Sequence, residues 1–236
     1  HRMYVLEGDT QDPQGSYTFK GQIADATNKW AIDGTVLTKT DGTMYFVWSG
    51  WEGNENVRQN IYIAPMSNPW TISGQRVELS RPEKPWELNG TPHINEGPEV
   101  LSHNGKLYIV YSASGSWTDD YCLGMLTNTS GDVLNPLAWT KSTEAVMSKG
   151  AGAYGLGHNC FTVSPDGTED WIVYHAVKQA GGGWAGRSVR AQKIQYDADG
   201  NPVFGTPVGY EVLIQQPSGT PAVNHLDYEA EAGMML

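Results

Sequence analysis

Apolar and polar residues alternate along this chain in short runs, and the three-and-four spacing of an amphipathic helix is nearly absent. The recurring unit is a strand, a tight turn and then a strongly apolar strand. Three segments fall in register: DGTVLTKTDGTMYFVWSG from Asp33, EGPEVLSHNGKLYIVYSA from Glu96 and HNCFTVSPDGTEDWIVYHA from His158. Their turns are built on Asp41-Gly42, Asn104-Gly105 and Asp166-Gly167, pairs that supply the positive φ a hairpin needs. Aromatic-rich strands follow: Tyr45-Phe46-Val47-Trp48, Tyr108-Ile109-Val110-Tyr111 and Trp171-Ile172-Val173-Tyr174. From Asp33 to Tyr45 is 12 residues, from Glu96 to Tyr108 is 12 and from His158 to Trp171 is 13, and the repeat itself measures 63 and then 62 residues.

An outer pair of strands follows each hairpin, in QNIYIAPMSNPWTISG, YCLGMLTNTSGDVLNPLAWT and SVRAQKIQYDADGNPVFG. Four strands per roughly 60 residues, repeated, predict an all-β propeller. The opening HRMYVLEGDTQDPQGSYTFKG resembles the outer half of such a blade, so its inner half is expected before residue 1. The chain is thus expected to hold about three and a half blades over residues 1–215, as part of a longer polypeptide whose N-terminal segment could be a separate chain. Residues 216–236, rich in Pro, Ser and Gly at their start, read as a linker or tail.

Composition narrows the function. The 28 Gly and 13 Pro fit many turns, and the nine Trp and twelve Tyr fit a large core. A net charge of −11 without a basic stripe argues against nucleic acid or an acidic membrane surface as partner. No run approaches the length of a membrane helix. Cys122 and Cys160 lie in apolar strand-like runs and read as two buried thiols or one bridge between strands; no disulfide framework or zinc knuckle is encoded. The sequons at Asn89 and Asn128 would carry sugar only in a eukaryotic secretory route.

The candidate chemistry lies in the first strand of each repeat, which lines a propeller's axial channel. Asp33, Glu96 and His158 share one phase of three successive repeats and should converge at one end of that channel. Two carboxylates facing one polar pit suit acid–base work, the like charge of one raising the pKa of the other. On spacing alone, channel residues that only hold water account for the pair equally well. His158 is either a satisfied hydrogen-bonding residue or a ligand for a metal or water. His103 and His175 lack a comparable phase and read as structural.

In combination, WAIDGTVL, YFVWSGW, NEGPEVL, IVYSASGSWTDDYCLG and GTEDWIVYHA resemble glycoside hydrolase family 43, most nearly its exo-acting α-L-arabinofuranosidases. The resemblance covers most of residues 1 to about 215. It implies a five-bladed propeller, a secreted inverting hydrolase that releases arabinose from arabinan or arabinoxylan, and no cofactor for the chemistry. It implies that Asp33 orients and tunes the acid, that Glu96 is the general acid, and that Arg187, in preference to Arg190, contacts the sugar. His158 corresponds to a channel histidine that in several members holds calcium or another ion. Trp51 is either a wall for the sugar ring or a rim aromatic packed on a neighbouring blade. The base aspartate belongs one repeat before residue 1; Asp12 is out of phase with the channel and Asp227 lies in the tail. A β-xylosidase or endo-arabinanase of the same family, a fructan hydrolase, and a non-catalytic sugar-binding propeller are the alternatives; the fructan enzymes carry a cysteine where Gly97 follows Glu96. The terminal DYEAEAG faintly resembles the start of a carbohydrate-binding module.

Overall fold

The computed structural model describes residues 1–221 and is almost entirely β. Strands β1 (Met3–Gly8) and β2 (Tyr17–Ile23) form an antiparallel pair, with Asp12 in the turn between them. The first complete repeat comprises β3 (Ala31–Thr38), β4 (Met44–Gly50), β5 (Arg58–Asn68), the short β6 (Thr71–Ile72) and β7 (Val77–Ser80). The second comprises β8 (His93–His103), β9 (Lys106–Ala113), β10 (Cys122–Asn128) and β11 (Trp139–Lys141). The third comprises β12 (Tyr154–Val163), β13 (Asp170–Val177) and β14 (Arg187–Lys193), followed by a small hairpin of β15 (Gln195–Tyr196) and β16 (Pro202–Val203). The first two repeats touch through a short parallel pairing of Arg58 with His93 and Gln59 with Ile94.

These sheets stack face to face as propeller blades, and the apolar strands are buried on both faces. In β9, Tyr108 and Val110 pack toward the third blade with Leu156 and Ile172, whereas Ile109 and Tyr111 pack toward the first with Val47 and Ile61. Successive side chains alternate between faces, so one strand feeds two interfaces. Each fully buried aliphatic side chain there contributes about 1.5–3 kcal/mol by leaving water.

The inner strand of every blade is interrupted by a bulge at the same place. Pairing skips from Ile32 to Thr35 in β3, from Glu96 to Glu99 in β8 and from Gly157 to Cys160 in β12. Asp33, Gly97 and His158 are therefore structural equivalents, and Glu96 sits one residue earlier. The one-residue offset from the sequence phase has a simple origin. Only Asn104 and Gly105 separate β8 from β9, whereas Lys39–Thr43 separate β3 from β4, so counting back across the turn overshoots in the second blade.

One further expectation changes. Cys160 is exposed and only Cys122 is buried; both thiols are free. In the described part of the tail, the Ser218 N–H donates to Glu169 and its hydroxyl to Asp166, fastening it to the β12–β13 turn. Asp227 and the DYEAEAG segment lie outside the described residues. No helix among the described residues is long and apolar enough to cross a membrane.

Candidate active site

The three bulges meet at Asp33, Gly97 and His158. Asp33, Gly97 and His158 all have left-handed backbone, with φ of 55°, 53° and 51°. That conformation costs an L-residue about 1–2 kcal/mol, so Asp33 and His158 hold it under strain and Gly97 does not. A Cβ at position 97 would also be tight, 3.2 Å from Nδ1 of His158. The Asp33 carboxylate accepts the Gly97 N–H through Oδ2 at 3.1 Å, and its Oδ1 lies 3.9 Å from Nε2 of His158. Asp33 thus grips the backbone next to Glu96, not the Glu96 carboxyl itself.

Glu96, in β8, is partly buried and its Oε1 accepts the Tyr121 hydroxyl at 2.8 Å. Its pKa is raised, chiefly by burial and further by the negative charge of Asp33, while Tyr121, His158 and Arg187 pull against the rise. Like-charge tuning by Asp33 is therefore real but second to desolvation. The chain on the N-terminal side of Glu96 is clamped. The Asn95 carbonyl accepts the Ser49 hydroxyl at 2.9 Å, and the Asn95 side chain joins Ser80 and the buried Glu87.

Behind Glu96 lies a layer that sequence reading missed. Tyr121 is fully buried and stacks parallel on His175, with ring centroids 5.7 Å apart. Gly157 makes room for it, since a Cβ there would come within 2.4 Å of the tyrosine ring. His175 does have a phase: it pairs with Gly157 as Ser112 pairs with Glu96 and Ser49 with Ile32. Neither nitrogen of His175 has a hydrogen-bond partner among the described residues, and burial, aided by Arg187 and His158, pushes its pKa down to about 3. It is a neutral imidazole used as a flat surface. His103, by contrast, stacks on Tyr196. Just past the bulges the Thr35 hydroxyl donates to Glu99, whose pKa burial raises.

Arg187 stands at the start of β14. One of its nitrogens donates to the Ser116 carbonyl at 2.9 Å, its Nε is buried without a partner among the described residues, and its charge is felt by Glu96. Arg190 turns elsewhere, donating to the Val208 carbonyl and lying against Tyr210. Trp51 stacks on Trp30 at 4.9 Å with nearly parallel rings, so one face is taken by the rim packing. Among the described residues no three His, Cys, Asp or Glu side chains gather to ligate one ion; His158 offers a half-exposed imidazole beside Asp33 alone.

A partly buried acid held by a phenol, an aspartate fixed beside it and an arginine at the wall can donate a proton to a neutral, hydroxylated ligand. The profile of "Glycosyl hydrolases family 43" matches residues 1–202. An extracellular exo-α-(1→5)-L-arabinofuranosidase of Streptomyces avermitilis is 44% identical over 217 residues, covering 88% of this chain and 44% of that protein. The α-L-arabinofuranosidase 43 of Humicola insolens is 38% identical over the same shares. The crystal structure of an α-L-arabinofuranosidase from Lactobacillus brevis superposes with a TM-score of 0.82 at 37% identity, over 90% of this chain and 68% of that one. The chain spans less than half the length of the two sequence relatives it resembles here. With most of its length matched by the family profile and its fold shared with a solved relative, the chain belongs to glycosyl hydrolases family 43.

Proposed function

We propose that the protein containing this chain is an inverting α-L-arabinofuranosidase that releases terminal arabinofuranosyl residues from arabinan or arabinoxylan outside the cell. The observation that carries this reading is the Glu96 carboxyl, whose pKa is raised chiefly by burial and which is held by Tyr121 next to the Asp33–Gly97 contact. A carboxyl whose ionisation burial disfavours is suited to giving its proton to the glycosidic oxygen. Asp33 orients it through the Gly97 N–H, and Arg187 supplies charge-assisted hydrogen bonds to sugar hydroxyls. The base is an aspartate from sequence outside this chain, set about 6.5–9.5 Å from the acid so that a water fits between. No step passes through a metal ion; an ion beside His158 would be a channel-floor element. The α-(1→5) linkage chosen for the test and the extracellular setting are taken from the Streptomyces avermitilis relative.

The test is Glu96→Gln in the complete polypeptide, assayed on α-(1→5)-arabinobiose and on a dinitrophenyl arabinofuranoside. The variant should lose about 10²–10⁴-fold on the disaccharide, whose leaving group needs a proton, and far less on the aryl substrate. Sugar binding without turnover in the wild type, or unchanged turnover in the variant, would sink the hydrolase assignment. The 236-residue chain alone should be nearly inactive and regain turnover when the N-terminal repeats are added.

A further inference from the structure

Resting on the reading of this site as an arabinofuranosidase, we propose that Trp184 determines specificity for the leaving group: its indole is the surface on which the first departing sugar stacks, beside Arg187 and the arabinofuranosyl ring it holds. Trp184 lies in AGGGWAGR (180–187), a stretch outside the strand pattern of the repeats. Three glycines in a row suit a loose loop, yet this one is fixed. The Lys178 N–H donates to the Gly186 carbonyl and the Gly182 N–H to the Gln179 carbonyl, both at 3.1 Å. The Gly181 N–H donates to both carboxylate oxygens of Asp119 at 3.0 Å, tying the loop to the one that follows β9. Trp184–Gly186 form a single 3-10 turn, closed by the Arg187 N–H on the Trp184 carbonyl. Side chains three residues apart eclipse in such a turn, so the indole and the guanidinium project together. Their contacts agree, for Trp184 Nε1 and Arg187 Nη2 donate to one acceptor, the Ser116 carbonyl, at 3.0 and 2.9 Å.

The bond to Ser116 leans Trp184 over the second blade, the one that carries Glu96. β9 ends at Ala113, opposite Asn95, and β13 ends at Val177, opposite Tyr154. The loops 114–121 and 178–186 therefore rise from the hairpin ends nearer Glu96 and His158. Trp184 is 62% exposed although its one polar atom is satisfied, so what it shows to solvent is bare ring. Trp117, in the same loop as Ser116, is 44% exposed, and its ring lies on Gly115, where a Cβ would come within 2.6 Å of it. Two large rings held still at one rim differ from singly scattered surface hydrophobics. A site that cuts off a terminal sugar encloses that sugar and lets the rest of the glycan leave toward solvent. A fixed, exposed ring beside the arginine then meets the next unit. An indole offers broad apolar area and a π face without charge, which suits the C–H face of a neutral arabinofuranosyl residue.

Trp184→Ala in the complete polypeptide tests this on two substrates that share a glycon and differ in the leaving group. On α-(1→5)-arabinotriose kcat/KM should fall about 3–10-fold, more through KM than through kcat. On methyl α-L-arabinofuranoside, whose leaving group has no ring, the loss should stay below about twofold. In the Glu96→Gln background, arabinotriose binding followed by calorimetry should weaken by the same factor as kcat/KM, with the binding of free arabinose unmoved. Trp184→Phe, with a smaller ring and no bond to Ser116, should show the same selective loss at smaller size, and it serves if the alanine variant does not fold. Equal losses on the two substrates would make Trp184 part of the glycon contact or of the packing, and no loss on either would leave it idle; each result overturns the proposal. If the wild-type polypeptide turns over neither substrate, the underlying reading as an arabinofuranosidase fails instead.

Discussion

Two glutamates of this protein are removed from water and lie on either side of Asn95, yet they are opposites. Glu87, in the short turn before β8, has no exposed surface. It accepts the backbone N–H groups of Glu83 and Lys84, the Asn95 amide, the Tyr111 hydroxyl and the Lys141 ammonium. Burial alone would raise its pKa, but those N–H groups and Lys141 outweigh it and hold the carboxyl below its usual range. Among the described residues Glu96 has a single hydrogen-bond donor, Tyr121, and a negative neighbour, and its pKa is raised. The number of donors separates a carboxylate that fastens the fold from a carboxylic acid that can part with a proton.

The contrast can be broken from either side. The largest effect is expected from Glu96→Gln, with its loss of about 10²–10⁴-fold in turnover and no cost in stability. Lys141→Met is the mirror experiment: removing the cation leaves Glu87 buried without its counter-charge and should cost about 3–5 kcal/mol in a denaturant melt.

Next in size is the pH response. Glu87 has a lowered pKa, so its contribution to stability is present above the unfolded value of 4.5 and is lost as pH falls through the folded value. Glu96 has a raised pKa, so the folded state holds the extra proton and stability falls as pH rises from 4.5 through the folded value. Glu96→Gln should therefore raise the Tm at neutral pH and leave it unchanged well below pH 4.5. At neutral pH the smallest effect is expected from His175→Phe. Its depressed pKa makes protonation of the folded state unfavourable as pH falls from 6.5 toward about 3, so the variant should flatten that part of the acid melting curve and leave the Tm at neutral pH close to wild type.

Much of this architecture is legible in the chain itself. The Asp-Gly and Asn-Gly turns between alternating runs mark the inner hairpins, and all three are found in place. Asp33 and His158 are legible as equivalents because each begins a repeat at the same structural position. Glu96 is displaced by one residue in that reading because turn length is a property of local backbone, invisible to hydrophobic periodicity. Tyr121 is harder to see. It lies in an irregular segment just before β10, and it reaches Glu96 only because blades two and three close around it. The phase shared by Ser49, Ser112 and His175 in WSG, YSA and YHA is the signal that could have revealed the layer behind the acid. Trp51 was ambiguous because its partner, Trp30, belongs to the approach to β3, a contact that no repeat encodes.

The bulge shared by the inner strands separates two jobs that compete in most sheets. Residues 33, 97 and 158 stand outside the pairing register, so exchanging what occupies them leaves the cross-strand ladder intact. Aspartate, glycine and histidine occupy one socket in three copies of the same unit. Three such sockets let the residue beside the acid differ from repeat to repeat while the pairing on either side of it is kept.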